Sequence, residues 1–116
     1  MVGLTMSPDF QLYRTVTDAA DSLPETDIDK GLNTADYEDL IIEVVPTGCD
    51  PTIEVLFWSE SASAFIKEHT AMSYAGIGSG VAFQVRVNSF GRKLFVAVTG
   101  TIGAGDVIVL NVAGWR

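Results

Sequence analysis

The sequence predicts an all-β fold: a two-sheet antiparallel β-sandwich, jelly-roll-like, behind an extended N-terminal arm. Three observations predict it. From residue 39 onward, short runs of apolar residues alternate with others and are separated by Gly, Pro, Asp and Asn. Between them there is little that repeats at helical spacing. The chain has 116 residues, 47% hydrophobic and 19% charged, enough for one domain with a core. Residues 1–37 are read as the arm and an acidic loop, and 38–116 as the sandwich core.

In the arm, the one strand candidate is "FQLYRTV" (10–16), after which "TDAADSLPETDIDKGLNTADYED" reads as a connecting loop. In "DLIIEVV" (39–45), Leu40, Ile42 and Val44 alternate with Ile41, Glu43 and Val45. In "TIEVLFW" (52–58), Ile53, Val55 and Phe57 alternate with Glu54, Leu56 and Trp58. The turn residues of "PTGCDP" between these runs predict a pair of antiparallel strands joined by that loop.

"SESASAFIKEHTAMSYAG" (59–76) predicts a loop with a helical turn, capped by Ser59 or Ser61, with Phe65 and His69 four residues apart. "VAFQVRVN" (81–88) then alternates cleanly, with Val81, Phe83, Val85 and Val87 inward and Ala82, Gln84, Arg86 and Asn88 outward. "SFGR" turns it into a last hairpin, "KLFVAVTGTIGAGDVIVLNV" (93–112).

That hairpin is apolar on both sides, so the parity of its loop matters. If Gly103, Ala104 and Gly105 form a three-residue loop with Gly105 left-handed, then Ile108, Leu110 and Val112 join Val96 and Val98 on the core side. The second side still carries Phe95, Val107 and Val109, with Trp115 close behind. Such a face needs a cover, either the N-terminal arm or another polypeptide.

Charge narrows the partners. The net charge is −8, and ten acidic residues fall at or before Glu43 against Arg14 and Lys30, whereas residues 44–116 balance five acids with five bases. Without a basic patch, nucleic acid is not an expected partner. No apolar run approaches the roughly 18 residues that cross a bilayer, so no membrane partner is expected. The first residues lack the basic start and apolar stretch of a signal peptide, which predicts synthesis in a cytoplasm.

Chemistry-bearing motifs are sparse. Cys49 is the one cysteine and His69 the one histidine, so neither a disulfide nor a thiolate zinc site is expected within the chain. A Cys49–His69 nucleophilic pair would need the fold to bring two distant residues together. "GIGSG" and "GTIGAGD" lack the lysine and the strand–loop–helix setting of phosphate loops and read as turns. Asp27, Asp29, Asn33 and Glu38 take positions one, three, seven and twelve of a calcium loop, but Leu32 stands where the tight turn needs glycine. No catalytic residue and no cofactor are expected. Trp58, Tyr74 and Trp115 form the candidate aromatic platform for a sugar ring.

"RKLFVAVTGTIGAGDVIVLNV" (92–112), preceded by "GSGVAFQVRVNSFG", resembles the closing strands of bacteriophage capsid cement (decoration) proteins. The Asp-rich "TDIDKGLNTADYEDLIIEVV" (26–45) is similar to their early segment. The resemblance implies a trimeric sandwich that bridges neighbouring major capsid proteins on a virion surface, made in a host cytoplasm, with no catalytic residues. Phe95, Val107, Val109 and Trp115 are then the expected self-association residues, and the 1–37 arm the expected contact with the shell. The alternative is a carbohydrate- or receptor-binding module of a phage fibre or tail, using Trp58, Tyr74 and Trp115.

Overall fold

In the computed structural model, every long strand alternates between residues that point into one central core and residues that point away from it. The structure describes residues 10–17, 25–34, 37, 39–68, 72–89, 92–100 and 102–115. Eight strands are present among them: β1 (Gln11–Val16), β2 (Asp39–Thr47), β3 (Thr52–Ser59), β4 (Ala64–Ile66), β5 (Ser73–Ala75), β6 (Phe83–Asn88), β7 (Leu94–Thr99) and β8 (Val107–Trp115). One 3₁₀ turn spans Ile28–Lys30.

The strands form two antiparallel sheets. Sheet A has the order β1-β8-β2-β6. In sheet B, β3 is central: Phe57 pairs with Leu94 of β7 on one edge and Ile66 of β4 on the other, and Ile53 pairs with Val98 of β7 and Tyr74 of β5. The predicted two-sheet antiparallel sandwich is the fold observed.

The core lies between the sheets. Sheet A contributes Leu40, Ile42, Val44, Val85, Val87, Ile108, Leu110 and Val112, and sheet B contributes Ile53, Val55, Phe57, Leu94, Val96 and Val98. Most are wholly shielded, and burial of each such side chain contributes roughly 1.5–3 kcal/mol. These are the inward sets that alternation assigned to each strand, with one correction: Val81 precedes β6 and is 43% exposed, because the strand begins only at Phe83, which is itself partly buried against the core.

The pairing of those strands departs from expectation. Lys93–Val112 is no hairpin, because β7 pairs with β3 in sheet B while β8 pairs with β2 and β1 in sheet A. The Gly100–Asp106 connection crosses the ~10 Å between sheets. Gly105 does take the left-handed conformation, at φ +86°. The aliphatic sets of the two strands meet as expected, but by facing each other across the sandwich rather than lying side by side.

The predicted pairing across "PTGCDP" fails in the same way, since β2 belongs to sheet A and β3 to sheet B. "SFGR" likewise leads from one sheet to the other. Alternation fixes which side of a strand is buried, and that side is the same for two strands of one sheet or for two strands facing across a core.

The expected helical turn at 59–76 is a strand-to-strand turn instead. Ser59 does cap it, its Oγ accepting from Ala62 N at 3.1 Å. Ser63 then adopts φ +50° and returns the chain into β4, so no helix propagates.

Beyond sheet B lies a second, smaller cluster: Leu56, Phe65, Phe95 and Ala97, with Trp58 packed against it. The chain's own acidic loop covers it. Phe65 N donates to Glu25 O at 2.9 Å, and Leu32 exchanges hydrogen bonds of 2.7 and 3.0 Å with Leu94. Gly31 sits so close above that a Cβ there would lie 2.6 Å from Phe65 Cζ. Only a residue without a side chain lets this loop lie flat on the ring.

The described part of the arm is laid onto the sandwich. β1 forms the edge of sheet A, and Val16 is buried in the core. Tyr13 falls at a register shift between Leu12 and Arg14, so β1 bulges there.

Candidate functional site

The side of sheet A that faces away from the core carries several aliphatic residues outside the two clusters. Since Ile42 and Val44 point inward, Ile41, Glu43 and Val45 point outward. On β8 the outward set is Val107, Val109, Asn111 and Ala113, for the same reason.

Register places these side chains in rows. Thr15, Val109 and Val45 share one row, and Leu12, Asn111, Glu43 and Gln84 the next. Ala113, Ile41 and Arg86 form a third. Ile41, Val45, Val107 and Val109 are half-buried, while Leu12 is 63% exposed.

The acidic group at the middle of this face has a polar partner within it: Asn111 Nδ2 donates to Glu43 Oε1 at 3.0 Å. Gln84, Arg86 and Asn88 on β6 are exposed and give the face a polar margin. The face thus has an apolar centre around this hydrogen-bonded pair and a polar edge.

Of the expected self-association residues, Val107 and Val109 stand together on this face. Phe95 does not. It belongs to sheet B, is 1% exposed and lies under Phe65 at a centroid distance of 5.3 Å. That position gives it no surface to offer a neighbour, which corrects its assignment to an interface. Trp115 closes β8 opposite Asp39, and its side chain lies outside the described residues.

The proposed sugar platform is not assembled. Trp58 points away from the core, packs edge-on against Phe65 at 5.1 Å and donates from Nε1 to Glu60 Oε2 at 2.7 Å. Tyr74 lies opposite Ile53 and packs on the central core, its hydroxyl directed at Met72 Sδ 3.7 Å away. The two rings are on opposite sides of sheet B, and Trp115 belongs to sheet A.

Cys49 is buried at 6% exposure in the β2–β3 connection. Burial, reinforced by Asp106 and Asp50, pushes its thiol pKa up, the reverse of what a nucleophilic thiolate needs. His69 lies outside the described residues.

The acidic loop uses its carboxylates to brace itself. Asp27 Oδ1 accepts from Asp29 N at 3.0 Å, Glu25 Oε1 accepts from Asp27 N at 2.8 Å, and Lys30 Nζ pairs with Glu25 Oε2 at 3.2 Å. Glu38 lies outside the described residues. Among the described residues, no group of three or more carboxylate, histidine or cysteine side chains is placed to hold a metal ion. The glycine clusters are turns: Gly103 N donates to Asp106 Oδ2 at 2.6 Å, and Gly78 N to Asp50 Oδ1 at 3.3 Å.

Leu12, Ile41, Val45 and the Glu43–Asn111 pair went unassigned by the sequence. The signal was present in "DLIIEVV", whose outward set is two-thirds aliphatic, but the partner strands that complete the face are distant in sequence.

No family model matches the chain, and no curated protein matches it. Among solved structures, the chain is similar to the K3 cleaved adhesin domain of Lys-gingipain from Porphyromonas gingivalis W83, at 10% identity and a TM-score of 0.39. The likeness covers 72% of this chain and 61% of that domain.

Proposed function

We propose that this chain is a non-enzymatic structural subunit, a capsid cement or decoration protein that docks through the outer face of sheet A and holds major capsid proteins together on a virion surface. The supporting observation is that face: Leu12, Ile41, Val45, Val107 and Val109 surround one internally satisfied polar pair, on a chain of net charge −8. The sequence resemblance supplies the kind of partner.

The face supplies much of the area the role needs. Its two central strands are nine residues long. At about 3.4 Å per residue and 4.8 Å between strands, sheet A presents on the order of 500 Å² in projection. A stable interface uses roughly 800 Å² of accessible surface per partner, which a corrugated face of that projection approaches. A homotrimer places the same face, or a part of it, between copies as well as against the shell.

The test is co-sedimentation with shells assembled from a bacteriophage major capsid protein found in the same genome as this gene. The wild-type chain is expected to pellet with the shells and to raise their melting temperature, and Val45→Asp to do neither while keeping its own β-sheet circular dichroism. Failure of the wild-type chain to bind such shells contradicts the role.

A further inference from the structure

A groove of about 200 Å³ opens where the start of β1, the loop after the 3₁₀ turn and the end of β8 meet. We infer that it is a binding site for a neutral pyranose ring, the end of a glycan chain, at a place distinct from Trp58 and sharing Leu12 alone with the outer-face residues named above.

The groove is built rather than incidental. Tyr13, turned by the bulge in β1, donates its hydroxyl to Lys30 O at 2.6 Å and so ties one wall to the other. Thr34, 1% exposed, donates its hydroxyl to Arg92 O, which anchors the far wall to the sandwich. Tyr37 is held at both ends of its backbone: its N–H donates to Thr34 O at 3.0 Å, and its carbonyl accepts from Ser89 Oγ at 3.0 Å.

The floor explains why Gly114 is a glycine. A Cβ at Gly114 would lie 2.6 Å from Tyr37 Cγ and 2.9 Å from Leu40 Cδ2. The Tyr37 ring is therefore seated directly on the β8 backbone, yet it remains 41% exposed. A ring fixed against backbone and open to water is a surface on which a sugar ring can lie, because it loses little side-chain freedom on binding.

Chemistry selects the ligand class. Among the described residues, none that lines the groove is charged, in a chain with fifteen carboxylates and seven basic groups. Two tyrosines supply apolar area, and Gln11 and Asn33 add uncharged amide side chains to the lining. That combination fits a ligand with an apolar ring face and a hydroxyl edge, and among the described residues the lining has no charged group to draw a phosphate, a carboxylate or an ammonium. At about 200 Å³ the groove is smaller than the roughly 300–1,000 Å³ pockets of drug-sized ligands, as a site for a single ring would be. The groove takes one ring of a longer chain.

The test is a ¹⁵N–¹H correlation titration of the full chain with methyl glycosides of glucose, galactose, mannose and N-acetylglucosamine, followed by disaccharides of whichever binds. Saturable shifts at millimolar ligand are expected on Leu12, Tyr13, Asn33, Thr34, Tyr37 and Gly114. Tyr37→Ala is expected to weaken binding by about tenfold or more, with Tyr37→Phe and Trp58→Ala each changing it by less than about twofold. Absence of saturable shifts with every glycoside overturns the site, as does binding that maps to Trp58 or survives Tyr37→Ala. These outcomes are independent of whether the outer face of sheet A binds a capsid shell.

Discussion

The Arg14 guanidinium lies 4.6 Å from the centroid of the Phe95 ring and donates from one Nη to Val96 O at 2.8 Å. β1 is the edge of sheet A and β7 the edge of sheet B, so this one side chain joins the two sheets along the side of the sandwich. It also satisfies a carbonyl on an edge strand, where an unpaired row of backbone groups would otherwise invite another chain. Arg14→Ala is expected to lower the unfolding free energy by about 2 kcal/mol, from the loss of a charge-assisted hydrogen bond and a cation–π contact. Arg14→Lys should recover only part of it, because an ammonium cannot both stack on the ring and reach the carbonyl as a planar guanidinium does. Urea denaturation of the three proteins checks this.

Phe95 separates a core role from an interface role. With the ring shielded by Phe65 and the acidic loop, Phe95→Ala should destabilise the fold by about 3–5 kcal/mol. If Phe95 stood at an interface, its loss would instead weaken association while leaving monomer stability little changed. Chemical denaturation at two widely spaced protein concentrations distinguishes them: the core role gives the same large loss at both.

Glu25 ties stability to acid. Hydrogen bonding from Asp27 N, together with Lys30, outweighs partial burial and holds its carboxyl below the usual range. Its contribution is therefore complete above the ordinary carboxyl pKa of 4.5 and lost as pH falls through the lower folded value. Wild type should be more stable than Glu25→Gln near neutrality, and the gap should close as pH falls through the lowered folded value. Because Glu25 anchors the loop on Phe65, Trp58 fluorescence should report the loosening.

Cys49 ties stability to alkali with the opposite sign. Burial, then Asp106 and Asp50, raises its thiol pKa above the ordinary 9.0, so the folded state keeps a proton that the unfolded state releases. Stability should fall as pH rises above 9.0 in the wild type, and Cys49→Ala should lack that component. Thiol labelling at neutral pH should proceed only as fast as the chain opens.

Alternation in "DLIIEVV", "TIEVLFW" and "FQVRVN" is a local property, set by which side of each strand meets the core. Those inward sets and the two-sheet class were legible. Pairing was not, because it depends on which strands share a sheet. A turn such as "PTGCDP" or "SFGR" serves equally to fold a strand back beside its neighbour or to carry it over to the other sheet. The same limit hid the candidate sites. Val45 and Val109 become neighbours only once β2 and β8 pair, and Tyr13, Tyr37 and Gly114 meet only when three distant segments converge. The Trp58–Tyr74–Trp115 platform rests on residue type alone, and opposite sides of sheet B separate two of its members.

The sandwich has two outward faces: that of sheet B carries an apolar cluster closed by the chain's own loop, and that of sheet A is the one we propose docks on other subunits. Light scattering coupled to size-exclusion chromatography, on wild type and Val109→Asp at micromolar concentration, tests this most directly. The expected result is a discrete wild-type oligomer and a folded Val109→Asp monomer. A wild-type chain that is monomeric throughout, or a Val109→Asp variant that assembles as well as wild type, would contradict it.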